Sequence, residues 1–241
     1  MNNKAFTLAE VLITLGIIGV VASMTLPALI QKQQKKEFLT QAKVVYNTLN
    51  NALERAKVSY GTEIENWEFL ESGSNLERSM FFAEKYLIPN LKVIEYCKKS
   101  TNTQACSHSV GSYDYKGADF TSFKPQNNYG TTLVLSNSAI VSIQAGNING
   151  NTERVRIVYD VNGIKGPNFM GKDVFIVELG GRQGGGDKNR FLPYGYRKDK
   201  DCSYYKNGFQ ADLTCTKEHG RAACLAYIMC NGWNMPEDYP W

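Results

Sequence analysis

Residues Phe6–Ile30 read FTLAEVLITLGIIGVVASMTLPALI, 25 residues with a single charge, Glu10. As a helix rising about 1.5 Å per residue, the segment spans roughly 37 Å, enough to cross a hydrocarbon core of about 30 Å. No other stretch of the 241-residue chain comes close. A short polar leader, Met1-Asn2-Asn3-Lys4-Ala5, precedes it. One reading is a signal peptide cut after Val20-Val21-Ala22, releasing a secreted enzyme that begins at Ser23. A plain membrane anchor is another. Glu10 fits neither. An unpaired carboxylate at the centre of a lipid-embedded helix costs roughly 2.5–3.5 kcal/mol, and neither segment gains from it. The acid makes sense where a positive group arrives on assembly. The free amine of a neighbouring subunit, cut just before Phe6, would serve.

The run Lys4-Ala5-Phe6-Thr7-Leu8-Ala9-Glu10, opening a long apolar helix, resembles the leader of the type IV pilin and type II secretion pseudopilin superfamily. The resemblance covers about the first 30 residues. It implies that prepilin peptidase cuts between Ala5 and Phe6 and that the new Phe6 amine is methylated. It also implies that Glu10 pairs with the Phe6 amine of an adjacent subunit. Ala5 stands where the superfamily usually has Gly; it is still small, so cleavage is expected at a reduced rate. Gly16, Gly19 and Pro27 sit where helices of the superfamily often place Gly and Pro. Pro27 lacks a backbone donor and should bend or locally melt the helix. The partners implied are other pilin or pseudopilin subunits, prepilin peptidase, and the secretion or pilus assembly machinery. The implied location is the bacterial inner membrane, single-pass, with the head in the periplasm and later on a pseudopilus or cell-surface filament. One feature opposes that orientation. Lys32, Lys35 and Lys36 follow the apolar run, against Lys4 and the amino terminus before it, and a positive-inside count would place the carboxyl side in the cytoplasm. The leader and the cysteines argue for export.

Beyond Ile30 the chain turns polar but keeps a helical period. Phe38, Ala42, Val45, Leu49, Ala52 and Ala56 recur at spacings of three and four, with Leu53 beside them. This is one apolar face on a polar helix. It spans too few heptads for a coiled coil and instead predicts docking onto the chain's own sheet. Lys43, Asn47, Asn50, Glu54 and Lys57 fill the other faces, and Gly61 is the expected stop. Residues 62–100 read as loop and helix, with Ser72 or Ser74 capping a helix that ends at Leu87, before Pro89. Residues 101–130 have no period and read as a loop region. Thr131–Leu135 and Ala139–Ile143 around Ser136-Asn137-Ser138 predict a hairpin. Arg154–Tyr159 and Asp173–Leu179 are a third and a fourth strand. Short links make an antiparallel meander the natural topology. The expected fold is α+β: a long N-terminal helix packed on an antiparallel β-sheet head that is disulfide-bonded. The expected organisation is a leader 1–5, an apolar transmembrane or filament-core helix 6–30, its amphipathic continuation 31–60 and a globular head 61–241.

Between the third and fourth strands lies DVNGIKGPNFMGKD, residues 160–173. The segment resembles the Asp-X-Asn-Gly…Gly-Pro-Asn…Gly-X-Asp connection of pseudopilin-like heads. Oxygens of Asp160, Asn162 and Asp173 would suit Ca²⁺, a hard cation. The glycine spacing and the missing terminal Glu exclude an EF-hand, and tight-turn structure is the preferred reading. No other cofactor is expected. Gly180–Lys188 is Gly-rich after a strand but lacks the Gly-Lys-Ser/Thr end of a phosphate loop, so it reads as a surface loop.

All six cysteines (97, 106, 202, 215, 224 and 230) fall in the head. An even count in an exported domain predicts up to three disulfides among 15 pairings. Cys97–Cys106 closes a short polar loop. Residues 219–230 read as helical, which puts Cys224 and Cys230 roughly 9 Å apart, too far to bridge each other. Their partners are then Cys202 and Cys215, in either order. A zinc site is the rival, but His108 and His219 are the only histidines and no Cys-X-X-Cys is present. The same scarcity of histidine, with no Gly-X-Ser-X-Gly, argues against an enzyme.

Lys and Arg number 27 and Asp and Glu 23, a net charge of +4. Residues 31–60 hold six Lys and Arg against Glu37 and Glu54, and Lys4 cancels Glu10, so the head is neutral overall. A neutral head gives no electrostatic case for nucleic acid, and none is expected as a partner. The rival from another class is a DNA-uptake or adhesive binding subunit on the same scaffold.

Overall fold

The computed structural model describes residues 7–68, 73–98, 103–106, 110–113, 119–123, 130–148, 151–180, 186–208, 214–218 and 220–241. Two units divide the chain, Met1–Glu37 and Phe38–Trp241.

One helix, α1, runs Leu8–Tyr60. Within the first unit its apolar side chains are exposed: Leu12, Ile17, Ile18 and Met24 are all more than half accessible. Its few hydroxyls bond back to the helix, Ser23 Oγ to the Val20 carbonyl at 2.7 Å and Thr25 Oγ1 to that of Val21 at 3.1 Å. Such back-bonding satisfies polar side chains without water, as an apolar medium demands. The helix is continuous through Pro27, so of the two expected effects, bending or local melting, the melting is absent.

In the second unit the apolar stripe is buried as its period predicts. Ala42, Val45, Leu49, Ala52, Leu53 and Ala56 are each at most 1% accessible. The helix stops where Gly61 takes φ +94°, its N–H donating to the Lys57 carbonyl at 2.9 Å. A residue with a Cβ would be strained in that left-handed cap.

The stripe meets a six-stranded antiparallel sheet of order β1-β4-β5-β6-β7-β8. The strands are β1 Val93–Cys97, β4 Thr131–Leu135, β5 Ile140–Ile148, β6 Asn151–Asp160, β7 Val174–Leu179 and β8 Phe191–Pro193. Strands β4 to β7 form the expected meander, and β8 extends it by a short edge strand that the sequence reading does not include. Alternate residues such as Leu133, Val141, Ile157 and Val177 point into the core shared with α1. Tyr159 Oη, on the same face, donates to the Ala42 carbonyl at 3.3 Å.

Three parts differ from expectation. Strand β1, on the edge beside β4, lies in the region read as loop and helix; it is short, bulged at Val93/Glu95 and half-exposed, so it has no alternation to read. A separate hairpin, β2 Val110–Tyr113 with β3 Asp119–Phe123, falls in the region read as loop. Helix α2, Asn75–Phe82, opens with a capping box between Ser74 and Glu77, then continues as a π turn Ala83–Leu87 and a 3-10 turn Ile88–Asn90 that takes in Pro89.

The last forty residues complete the core. Helix α3, Cys224–Cys230, buries Leu225, Ala226 and Ile228 completely. Cys202 bonds Cys230, Cys215 bonds Cys224, and Cys97 bonds Cys106. No described cysteine is free.

Candidate functional site

Two places carry the residues the sequence singles out. The first is the start of α1. Thr7 and Glu10 stand three apart across the first turn. The Thr7 N–H and hydroxyl donate to Glu10 Oε2 at 2.9 and 2.8 Å, and the Glu10 N–H donates to Thr7 Oγ1 at 3.3 Å. This is a capping box, with two orphan donors of a helix start satisfied reciprocally. The box fixes the acid against the first turn through one oxygen. Oε1 accepts no hydrogen bond among the described residues. Thr7 as the positioning partner of Glu10 was missed from the sequence, although Thr-X-X-Glu is the signature of such a box. Ala5 and Phe6 lie outside the described residues. Pro27 lies 17 residues further along the same helix.

The second place is the 160–173 connection. Gly163 takes φ +70°, and a Cβ there would fall 2.4 Å from the Ser138 carbonyl oxygen; only glycine lets the loop lie against the β4–β5 turn. Asp160 and Asp173 are both buried, at 2% and 0% accessibility. Asp160 Oδ1 accepts the Asn162 N–H at 3.2 Å. The Asp173 carboxylate accepts the N–H groups of Phe169 at 2.7 Å and Asn168 at 2.8 Å. Burial pushes Asp173 up to about 6, with the neighbouring Asp160 adding to the rise and the Phe169 and Asn168 N–H groups opposing it. Asn168, at φ +53°, aims its amide at the loop centre. With the nitrogen turned inward it donates to the carbonyls of Lys165 and Gly163, at 2.5 and 3.1 Å, and to Asp160 Oδ2 at 3.3 Å. Asn162 Nδ2 donates to the Gly166 carbonyl at 3.1 Å, while its Oδ1 is buried without a hydrogen bond.

The three oxygen donors named from sequence are thus on one loop, but Asp173 spends both oxygens on backbone N–H groups. A hard cation would need the opposite Asn168 amide, its oxygen facing Asp160 and the two carbonyls.

Glu95 lies beside Cys97 and Cys106, but both sulfurs are in a disulfide, so no thiolate is left for a metal. His108 and His219, the histidines of the zinc alternative, lie outside the described residues, as does 181–185 of the glycine-rich loop.

Comparisons with known proteins divide the chain in two. Residues 28–241 match the model of a family of unknown function (DUF6613). Residues 1–26 match the prokaryotic N-terminal methylation motif, the signal of type IV pilins and pseudopilins. No curated protein and no solved structure matches the chain.

Proposed function

Because the chain belongs to the family of unknown function DUF6613 and opens with a prokaryotic N-terminal methylation motif, we propose that it is a structural subunit of a bacterial pilin-type filament, a type II secretion pseudopilus or a type IV pilus. The motif on the exposed apolar start of α1 is the observation that carries this reading. Prepilin peptidase removes residues 1–5 and the Phe6 amine is methylated. The apolar span first sits in the inner membrane with the head in the periplasm, then passes into the filament axis, where the spans bundle and the disulfide-bonded heads form the wall. The capping box holds the Glu10 carboxylate at the helix start and leaves Oε1 for the Phe6 amine of an adjacent subunit. The charge of Glu10 is therefore paired only beside another subunit, which sets register and favours assembly. Nothing in this role requires bond-making chemistry in the head.

Amino-terminal mass spectrometry of the mature protein tests the reading. N-methyl-Phe6 supports it, and a chain beginning at Ser23 refutes it in favour of a secreted protein with a cleaved signal peptide. Glu10→Gln should insert in the membrane at wild-type level and give at least about a tenfold loss of filaments, consistent with losing an ion pair in an apolar medium. Wild-type filament yield from Glu10→Gln would remove Glu10 from the mechanism.

A further inference from the structure

We propose that Lys32, Lys35 and Lys36 form a binding collar for the phosphate groups of acidic phospholipids, which rests on the membrane-spanning reading above. Helix α1 is continuous from Leu8 to Tyr60, so positions along it can be converted to depth. Glu10 and Ile30 are separated by about 30 Å of helix, the thickness of the hydrocarbon core. With the two at opposite borders, the three lysines begin about 3 Å beyond the core and end about 9 Å beyond it, at headgroup depth. At about 100° per residue they fall within an arc of roughly 100° on one side of the helix, and Glu37 falls outside that arc. Lys32 and Lys36 are exposed, and Lys35 is half-buried. Lysine stems lie along apolar surface and hold the ammonium at the interface.

Two further observations favour lipid over protein. The head from residue 61 onward is neutral overall, so a second copy of the chain brings no net acidic charge to answer the collar. The lysines also oppose the export orientation by the usual charge bias. They are therefore not the signal that orients the chain, whereas an acidic headgroup layer attracts them whichever leaflet they reach. Each lysine near such a surface contributes about fivefold in preference for acidic over neutral lipid, and the effect weakens with salt. The collar would hold the subunit at a fixed depth until it is withdrawn into the filament.

The full mature chain, in mixed micelles with equal amounts of phosphatidylglycerol and phosphatidylcholine, is recovered and its bound lipid counted by mass spectrometry. Wild type should retain phosphatidylglycerol over phosphatidylcholine by about tenfold or more. The variant carrying Lys32→Gln, Lys35→Gln and Lys36→Gln should fall to near parity, the triple Lys→Arg variant should keep the preference, and about 0.5 M salt should reduce it in wild type. An equal preference in wild type and the Gln variant overturns the collar. Loss of filaments in the Gln variant with unchanged lipid selection overturns it too, by assigning the lysines to a subunit contact. A chain that fails to float with vesicles of either lipid instead overturns the membrane-spanning reading, so the two failures are told apart.

Discussion

Asn50 is the side chain whose removal should most clearly report how the helix holds the sheet. It lies on the Leu8–Tyr60 helix at 8% accessibility. Its Oδ1 accepts the Phe191 N–H at 3.0 Å, and its Nδ2 donates to the Phe191 carbonyl at 3.3 Å and the Tyr46 carbonyl at 3.2 Å. Phe191 is on β8, the last strand of the sheet, so Asn50 covers backbone groups that an edge strand otherwise leaves open. In Asn50→Ala the Phe191 carbonyl keeps the Tyr46 hydroxyl at 3.1 Å, but its N–H loses its partner in a buried place. An orphaned buried donor costs about 1–3 kcal/mol, and the void left by the amide adds about 1 kcal/mol. The expected loss is therefore about 2–4 kcal/mol, or roughly 4–16 °C in Tm for a unit of this size. The assay is thermal and denaturant unfolding of the full chain in detergent, with exposed Asn51→Ala as the control, expected to change stability by no more than about 0.5 kcal/mol. Asn50→Leu restores volume without hydrogen bonds and should remain at least about 1–2 kcal/mol below wild type. If Asn50→Ala matched the Asn51→Ala control, or Asn50→Leu matched wild type, the edge-capping argument would be wrong.

The disulfides, the buried acid and the loop give further tests. Cys202 and Cys230 close a loop with a sequence separation of 28; replacing both with Ser should cost about 3–4 kcal/mol by the chain-entropy relation, and a loss under about 1 kcal/mol in denaturant unfolding would refute it. Asp173 is raised to about 6 in the folded chain from 3.8, so the folded state binds the extra proton. Its contribution is most favourable below about pH 4 and is lost as pH rises toward 6; Asp173→Asn should flatten the fall in stability between those values, and an unchanged pH profile would refute the assignment. In the 160–173 loop, Asn168→Asp places a carboxylate against two carbonyls and Asp160, and should cost about 1–3 kcal/mol. Millimolar calcium should leave the melting of wild type and variant unchanged, and a calcium-dependent rise in either would favour the cation reading.

Local signals and tertiary ones separate cleanly in this chain. The apolar run, the amphipathic stripe, the Gly61 stop and the strands β4 to β7 are all patterns within one element, and each is legible because an element buried on one face must repeat with its own period. Strand β8 has three residues, too few for a period, and β1 is bulged and half-exposed, so it shows no alternation. The hairpin β2–β3 sits in a stretch rich in Ser, Asn, Gly and Tyr, whose composition favours loops. Asn50 reads as a polar-face residue from its neighbours, and its burial depends on where a strand 141 positions away ends up.

The site divides the same way. Its chemistry at the amino end is local: Phe6, Thr7 and Glu10 fall within five positions, so the start of the apolar run, its lone acid and the Thr-X-X-Glu cap are all written in consecutive residues. Which oxygen of Glu10 the cap occupies needed the helix geometry. In the 160–173 loop the sequence named the polar residues, but not that Asp173 is satisfied by backbone N–H groups or that the Asn168 amide fills the centre. The cysteine count established that up to three disulfides were available, and the helical reading of 219–230 that Cys224 cannot bridge Cys230. Choosing Cys202–Cys230 and Cys215–Cys224 over the reverse took the packed C-terminal segment, because pairing depends on which sulfurs the core brings together. By itself the sequence determined the membrane-length helix, its docking face and the antiparallel head, since each follows from periodicity and length. The sheet edges, the disulfide partners and the closure of the loop were decided only in the tertiary structure, where residues far apart in the chain supply one another's hydrogen bonds.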